Sequence, residues 1–337
     1  MNMNKVCFFL ICFCMAFVSK GQDIHFSQFN SSYLNLNPAS TGNFDGDYRL
    51  NGNFRNQWNS VSEPFQTFSF SAEAKQLLAQ YPALDMGLLL FNDEAGVGGL
   101  QTINVMASAA YSIKLNHDSS IALRGGIQLG LLSRSVNFDR FTFDEQFRRG
   151  RFDGNRDNGE NFDRDSHSSF NFNLGFLSSY RLEHRKKVSL GFSLFNLSTP
   201  NQSFNGSNIP LDIRSSFHLG ADYFLSDQFD LLPSIIHSRQ GPFSETVFGS
   251  NLRYRMSESG YYKRNLYGGV WYRNRDAIII SAGMDYDQWK VGLSYDINTS
   301  DLEVASNNRG GIEVSVTYII KKFKPQIRRY KLCPKFL

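Results

Sequence analysis

The chain has 337 residues, with 35 Lys and Arg against 31 Asp and Glu and a formal net charge of +4. That near balance gives no extended field for nucleic acid. Aromatic residues make up 15% of the chain, yet beyond residue 21 the longest apolar run is Met86–Phe91, far short of a membrane-spanning helix.

The first residues read as an export signal. Lys5 is a positive n-region, Val6–Val18 an unbroken apolar core, and Ser19, Lys20 and Gly21 a small-residue cleavage site. Residues 1–21 are therefore expected to be removed, with Gln22 starting the mature chain. The apolar core is shorter than the ~20 residues a helix needs to cross hydrocarbon. Cys7, Cys12 and Cys14 leave with the signal, so Cys333 has no partner for an internal disulfide.

The next stretch opens QDIHFSQFNSSYLNLNPASTG. Phe26, Phe29, Tyr33 and Leu36 are spaced i, i+3, i+7 and i+10, which predicts a short helical stripe. Pro38 has no N–H and disfavours helical geometry at Asn37, so that helix ends there. Asn37 and Pro38 then suit the N-cap and first position of a second brief turn, which runs through Ala39 and stops at Gly42.

Strand alternation begins at Tyr48. Tyr48, Leu50, Gly52 and Phe54 point one way, and Arg49, Asn51, Asn53 and Arg55 the other. The same period of two predicts strands over 48–58, 64–74, 84–92, 100–113, 119–135, 167–181, 186–196, 212–226, 229–240, 245–256, 264–274, 277–286, 289–298 and 309–320. In a barrel the apolar set faces lipid and the polar set faces a wet lumen. A soluble sandwich would bury the apolar set instead, and the loops decide between the two. The long connections near 136–166, 197–211 and 299–308 all fall on one side, whereas 114–118, 182–185, 226–229 and 287–288 on the other are short. That sorting is the barrel pattern. The expected fold is an all-β transmembrane outer-membrane β-barrel of about 14 antiparallel strands over residues 48–320, with both termini periplasmic.

Such a lumen is wider than wall side chains alone fill. Residues 22–47 are therefore expected to fold back into its periplasmic half as a plug, with the aromatic stripe against the wall and Arg55, Gln57 and Trp58 receiving it. In the outer loop RFDGNRDNGENFDRD, Asp153, Asn155 and Asp157 have the spacing that calcium loops prefer. Asn158 stands where such loops place Gly, no Glu follows at position twelve, and nearby arginines neutralise the acids. A solvated, salt-bridged loop is the preferred reading. Residues 321–337 form a basic tail with no acids, read as a solvated periplasmic tail or a docking segment for an acidic partner or phospholipid head groups. The histidines form no metal-binding pattern, and there is no G-x-S-x-G or phosphate-binding glycine loop. No enzyme activity and no cofactor are expected.

Four motifs in order carry a family resemblance. They are FSQF with LNLNPASTG and Arg55-Asn56-Gln57-Trp58; Phe195-Asn196-Leu197 with Pro200-Asn201-Gln202-Ser203-Phe204; GLSYDINTSDL, which holds Tyr295 and Asp296, with GGIEVSVTY; and Cys333-Pro334-Lys335-Phe336. Together they resemble the PorP/SprF-type outer-membrane proteins of the Bacteroidota type IX secretion and gliding machinery. The resemblance implies a non-enzymatic component that supports export or surface anchoring of secreted proteins such as large gliding adhesins. It implies as partners the type IX cargo or adhesin, periplasmic secretion-ring components, and the lipid and lipopolysaccharide of the outer membrane, and no nucleic acid. The long charged loop at 136–166 departs from the family pattern. The family also resembles FadL-like barrels, which supply the alternative: a channel for small hydrophobic molecules.

Overall fold

The protein was analysed as a computed structural model, which describes residues 25–57, 63–300 and 309–322 apart from 79, 117, 119, 149, 157–158, 160–163, 184 and 260–261. The expected signal 1–21, Trp58, Asp157, and Cys333 and Pro334 in the basic tail lie outside the described residues.

The strands are β1 Tyr48–Gln57, β2 Phe65–Ala74, β3 Leu84–Ala95, β4 Leu100–Lys114, β5 Ile121–Ser135, β6 Phe147–Arg148, β7 Arg151–Phe152, β8 Ser166–Glu183, β9 Lys186–Phe195, β10 Arg214–Phe224, β11 Phe229–Gln240, β12 Phe243–Ser259, β13 Tyr262–Arg273, β14 Ala277–Tyr286, β15 Trp289–Asn298 and β16 Arg309–Ile320. All but β6 and β7 form one closed antiparallel barrel, in which each strand pairs with its neighbours in the chain and β1 closes on β16. The closing register runs without a slip from Tyr48 opposite Ile320 to Gln57 opposite Gly311. The fourteen predicted strands are these fourteen. β12 is longer than predicted because it continues past a bulge at Arg255/Ser257.

The alternation sorts side chains as a membrane barrel requires. Outward, Phe54 is 41% exposed, Leu88 61% and Val270 60%, whereas inward Arg55 is 1% and Gln128 0% exposed. An apolar exterior around a polar interior inverts the arrangement of a water-soluble protein. β1 begins and β16 ends at one rim, called here the terminal end. Its connections are short, while 136–165, 196–213 and 299–308 all leave the opposite rim, the loop end.

Residues 25–42 lie in the lumen, and 43–47 lead over the rim to β1. They form a 3-10 turn at Phe29–Ser31, one α-helical turn, α1, at Tyr33–Leu36, and a second 3-10 turn at Pro38–Ser40. The single stripe expected over Phe26 to Leu36 is therefore broken. Ser32, at φ −114° and ψ 66°, leaves helical geometry between the first two turns. This break divides the apolar residues between two walls. Phe29 packs with Val247, Trp271 and Ile279, and Leu36 lies against that cluster. Leu34 packs with Leu89 and Met106 instead. β13 and β4, which carry Trp271 and Met106, face each other across the ring. Phe26 is also buried. Tyr33 does not join a greasy stripe: its ring lies 3.8 Å from the Arg49 guanidinium carbon. The segment also extends beyond one half of the barrel, because His25 reaches Glu245 near the loop end of β12 at 3.7 Å.

Candidate functional site: the occupied lumen

The segment is fastened at three places. The first is the Asn37–Pro38–Ala39 turn. Asn37 caps it as expected, its Oδ1 accepting from the Ala39 N–H at 2.8 Å with Pro38 at the first position. The same side chain donates from Nδ2 to the carbonyls of Phe176 on β8 and Phe192 on β9, at 3.0 and 3.3 Å. This approach needs a wall without side chains. A Cβ at Gly126 on β5 would overlap the Pro38–Ala39 backbone, and one at Gly175 on β8 would overlap Asn37. Two facing glycines, paired in the β5–β8 register, make the floor.

The second fastening lies nearer the terminal end. Arg49 holds Glu73 with two bonds of 2.7 Å. Glu73 also accepts the Gly42 N–H at 2.9 Å, and Arg49 donates to the Ser40 carbonyl at 3.2 Å. Beside them Arg124 pairs with Asp85 at 2.7 Å and donates to the carbonyls of Ala39, at 3.0 Å, and Thr41. Gly42, at φ +71°, occupies the left-handed region, and a Cβ there would overlap Asp85.

The third fastening is centred on Ser27. Its hydroxyl donates to Asp296 at 2.7 Å and accepts from Arg273 at 2.7 Å and from Arg55. Its N–H and that of Gln28 reach the two oxygens of Glu313 at 2.7 and 3.1 Å. Arg55 bridges Asp296 and Glu313, and Arg273 adds Asp296, Asp276 and Glu245. Buried ion pairs of this kind roughly cancel their desolvation cost, but removal of one partner is expensive. They therefore specify where the segment sits more than they add stability.

Residues 18–318 match the family described as type IX secretion system membrane protein PorP/SprF. The chain belongs to the PorP/SprF family. It is thus an outer-membrane component of type IX secretion. No curated protein matches it. Solved structures that share its fold include two toluene transporters. The toluene transporter TbuX of Ralstonia pickettii is 10% identical, with 86% of this chain and 92% of that one covered at a TM-score of 0.50. The toluene transporter TodX of Pseudomonas putida is also 10% identical, covering 89% of this chain and 95% of that one at 0.50. At such identity the likeness is one of fold.

The PorP/SprF motifs fall into different settings. Asp296 faces the Ser27 cluster, whereas its neighbour Tyr295 faces outward and is exposed. Asn196 follows β9 at φ +60°, a conformation Asn tolerates, and accepts from Asn171 at 3.0 Å. Asn201 organises the loop after it. Its Oδ1 accepts from the N–H groups of Ser203 and Ile209, its Nδ2 donates to the Ser207 carbonyl, and its own carbonyl meets His167 at 2.7 Å. Pro200 accepts the Leu211 N–H, and Gln202 bonds Ile209 and receives Arg134. Phe204 then packs edge-on against both His167 and Phe138, which joins the loops at 136–165 and 196–213. The Cys333-Pro334 signature lies beyond the matched residues.

Of the three wall residues expected to receive the segment, Arg55 does so. Gln57 does not hydrogen-bond it among the described residues, because it is the last residue of β1, at the loop-end rim. In the outer loop, Asp153 accepts the Asn155 N–H at 3.1 Å in a local turn. Among the described residues no group of three His, Cys, Asp or Glu is placed to hold a metal.

Sequence reasoning missed Ser27, Leu34, Glu73, Asp85, Arg273 and Glu313. Two were within reach of register alone. Arg49 stands opposite Glu73 across β1–β2, and Arg55 opposite Glu313 across β1–β16.

Proposed function

We propose that this PorP/SprF barrel is a closed, non-enzymatic docking platform that supports export or surface anchoring of secreted type IX proteins, such as gliding adhesins. The loop end faces the cell exterior and receives cargo. The terminal end, with the basic tail 321–337, faces the periplasm and the secretion ring. Phospholipid and lipopolysaccharide surround the apolar outer belt. The observation that carries this reading is the lumen segment, tied to the wall at Ser27, Asn37 and Gly42 by buried charged and amide groups. Polar fastening on this scale suits a permanent stopper better than a greasy passage.

The described function of TbuX and TodX favours a second reading, passage of small hydrophobic molecules. One experiment separates them. A deletion strain is compared with its parent by surface proteomics and by toluene uptake. Loss of one or more type IX proteins from the surface with uptake unchanged is the expected result. Unchanged surface proteins with reduced uptake would replace the platform with the channel.

A further inference from the structure

The lumen is filled unevenly. Toward β1 to β8 the inward side chains are large, among them Arg49, Met106 and Gln128. Toward β9 to β15 small residues, Ser189, Gly220, Ser234, Ser281, Gly283 and Gly292, are interspersed among the large ones. Between the segment and that wall lies a cavity of about 520 Å³. It lies within the size range of ligand sites. Gln28 and Trp271 bound it toward the loop end, and it reaches the terminal rim at Lys263, Asp287 and Gln288.

Its chemistry is specific. Arg49 and Arg253 are already held by Glu73 and Asp230. Lys263 and Lys290 line the same space and make no ion pair among the described residues. The Lys290 ammonium stands 5.4 Å from the centre of the Tyr267 ring, with Tyr33 and Asp285 in the same lining. Asp285 is buried and spends one oxygen on Asn265 and Tyr267, at 3.0 and 2.5 Å. Among the described residues its other oxygen has no donor. Asn30, Asn43, Asn251 and Gln288 add amides to the lining.

We propose that this cavity binds an extended, acidic peptide segment of a partner protein, entering at the terminal end. Lys263 and Lys290 receive its carboxylates. The lining amides receive its backbone N–H and C=O groups. An acyl chain would strip water from those amides without replacing the hydrogen bonds, which is costly. A peptide replaces them.

The test uses the purified full-length barrel in detergent micelles. The probe is a fluorescein-labelled hexapeptide alternating glutamate and asparagine, read by anisotropy. Its all-amide counterpart, with glutamine for glutamate, and sodium laurate as competitor are the comparisons. Saturable binding of the acidic peptide is expected, at least about tenfold weaker for the amide peptide, since a charge-assisted hydrogen bond contributes ~1.5–3 kcal/mol. Lys290→Gln should weaken binding by a similar factor. Gly220→Leu should do so by filling space, because the nearest atoms to a Cβ there lie 3.5 Å away. Heat-modifiable mobility confirms that both variants remain closed barrels. Equal binding of the two peptides, displacement by laurate, absence of saturable binding, or two variants that bind like the parent would each overturn the proposal. The test does not depend on which cargo the loop end serves.

Discussion

Two ion pairs show how burial decides what a residue contributes. Lys321 donates to Asp45 at 2.6 Å and holds that carboxyl below the ordinary Asp range, but the Asp45 side chain is 95% exposed. Its folded value is depressed, so any contribution is present above the ordinary Asp range and fades as pH falls through the depressed value. Lys321→Ala should cost ~0–1 kcal/mol, and less in high salt. Arg49–Glu73 has the same charges with both side chains almost fully buried. Glu73→Gln strands the Arg49 charge and leaves one acceptor oxygen for the Arg49 donors and the Gly42 N–H, and should loosen the segment by ~3–5 kcal/mol. Limited proteolysis of the folded barrel checks it, with cleavage between residues 25 and 47 expected only in the Glu73 variant. Gly42 adds a steric version of the same effect. Gly42→Ala forces a Cβ into Asp85 at a positive φ, and should release the same segment while heat-modifiable mobility stays normal. None of these pairings is visible in the chain as text. The parity of Arg49 and Arg55 was legible because polar and apolar residues alternate without a break through β1. Glu73 and Glu313 became legible only with the register, and Ser27, a small hydroxyl in an irregular stretch, carries no sequence signal for the role it plays.

At the scale of the element, the N-terminal segment is held by residues that propensity alone misreads. Four residues at helical spacing suggested one stripe on one wall. The chain instead bends at Ser32, so apolar anchors face opposite walls, Phe29 against Trp271 and Leu34 against Met106. A single helix of this length is marginal in water, and tertiary contacts override its period. The Asn37–Pro38 turn was legible because both residue types act through fixed local geometry, whereas the glycines that receive it lie on strands distant in sequence. Phe29→Ala and Leu34→Ala should each weaken docking, by ~3–5 and ~2–5 kcal/mol, as expected for buried residues of these sizes. The two are separable. Trp271 fluorescence should shift to the red in the Phe29 variant, which removes a ring 5.3 Å from the indole, and stay near the parent value in the Leu34 variant. Equal shifts would mean that the segment leaves as one unit rather than hinging on two independent anchors.

The whole molecule combines a wall that was readable strand by strand with a lumen that was not. Fourteen strands set a bore larger than an eight-stranded barrel, whose side chains fill it. Here the segment and large inward side chains fill one half, and the larger cavity lies along the other half and reaches the terminal rim. Removal of residues 25–47 is the direct test of whether the barrel is a pore with an appendage or a stoppered platform. In planar bilayers the full-length barrel should conduct in small, rare steps, while a chain lacking residues 25–47 should show stable steps about tenfold larger or more, as a water-filled lumen of this strand number implies. Glu73→Gln should fall between them, flickering as the segment detaches and returns. The order of the three proteins matters more than any single value. If full-length and truncated barrels conduct alike, the segment does not seal the lumen, and the polar fastenings at Ser27, Asn37 and Gly42 must serve to shape a passage rather than to close one.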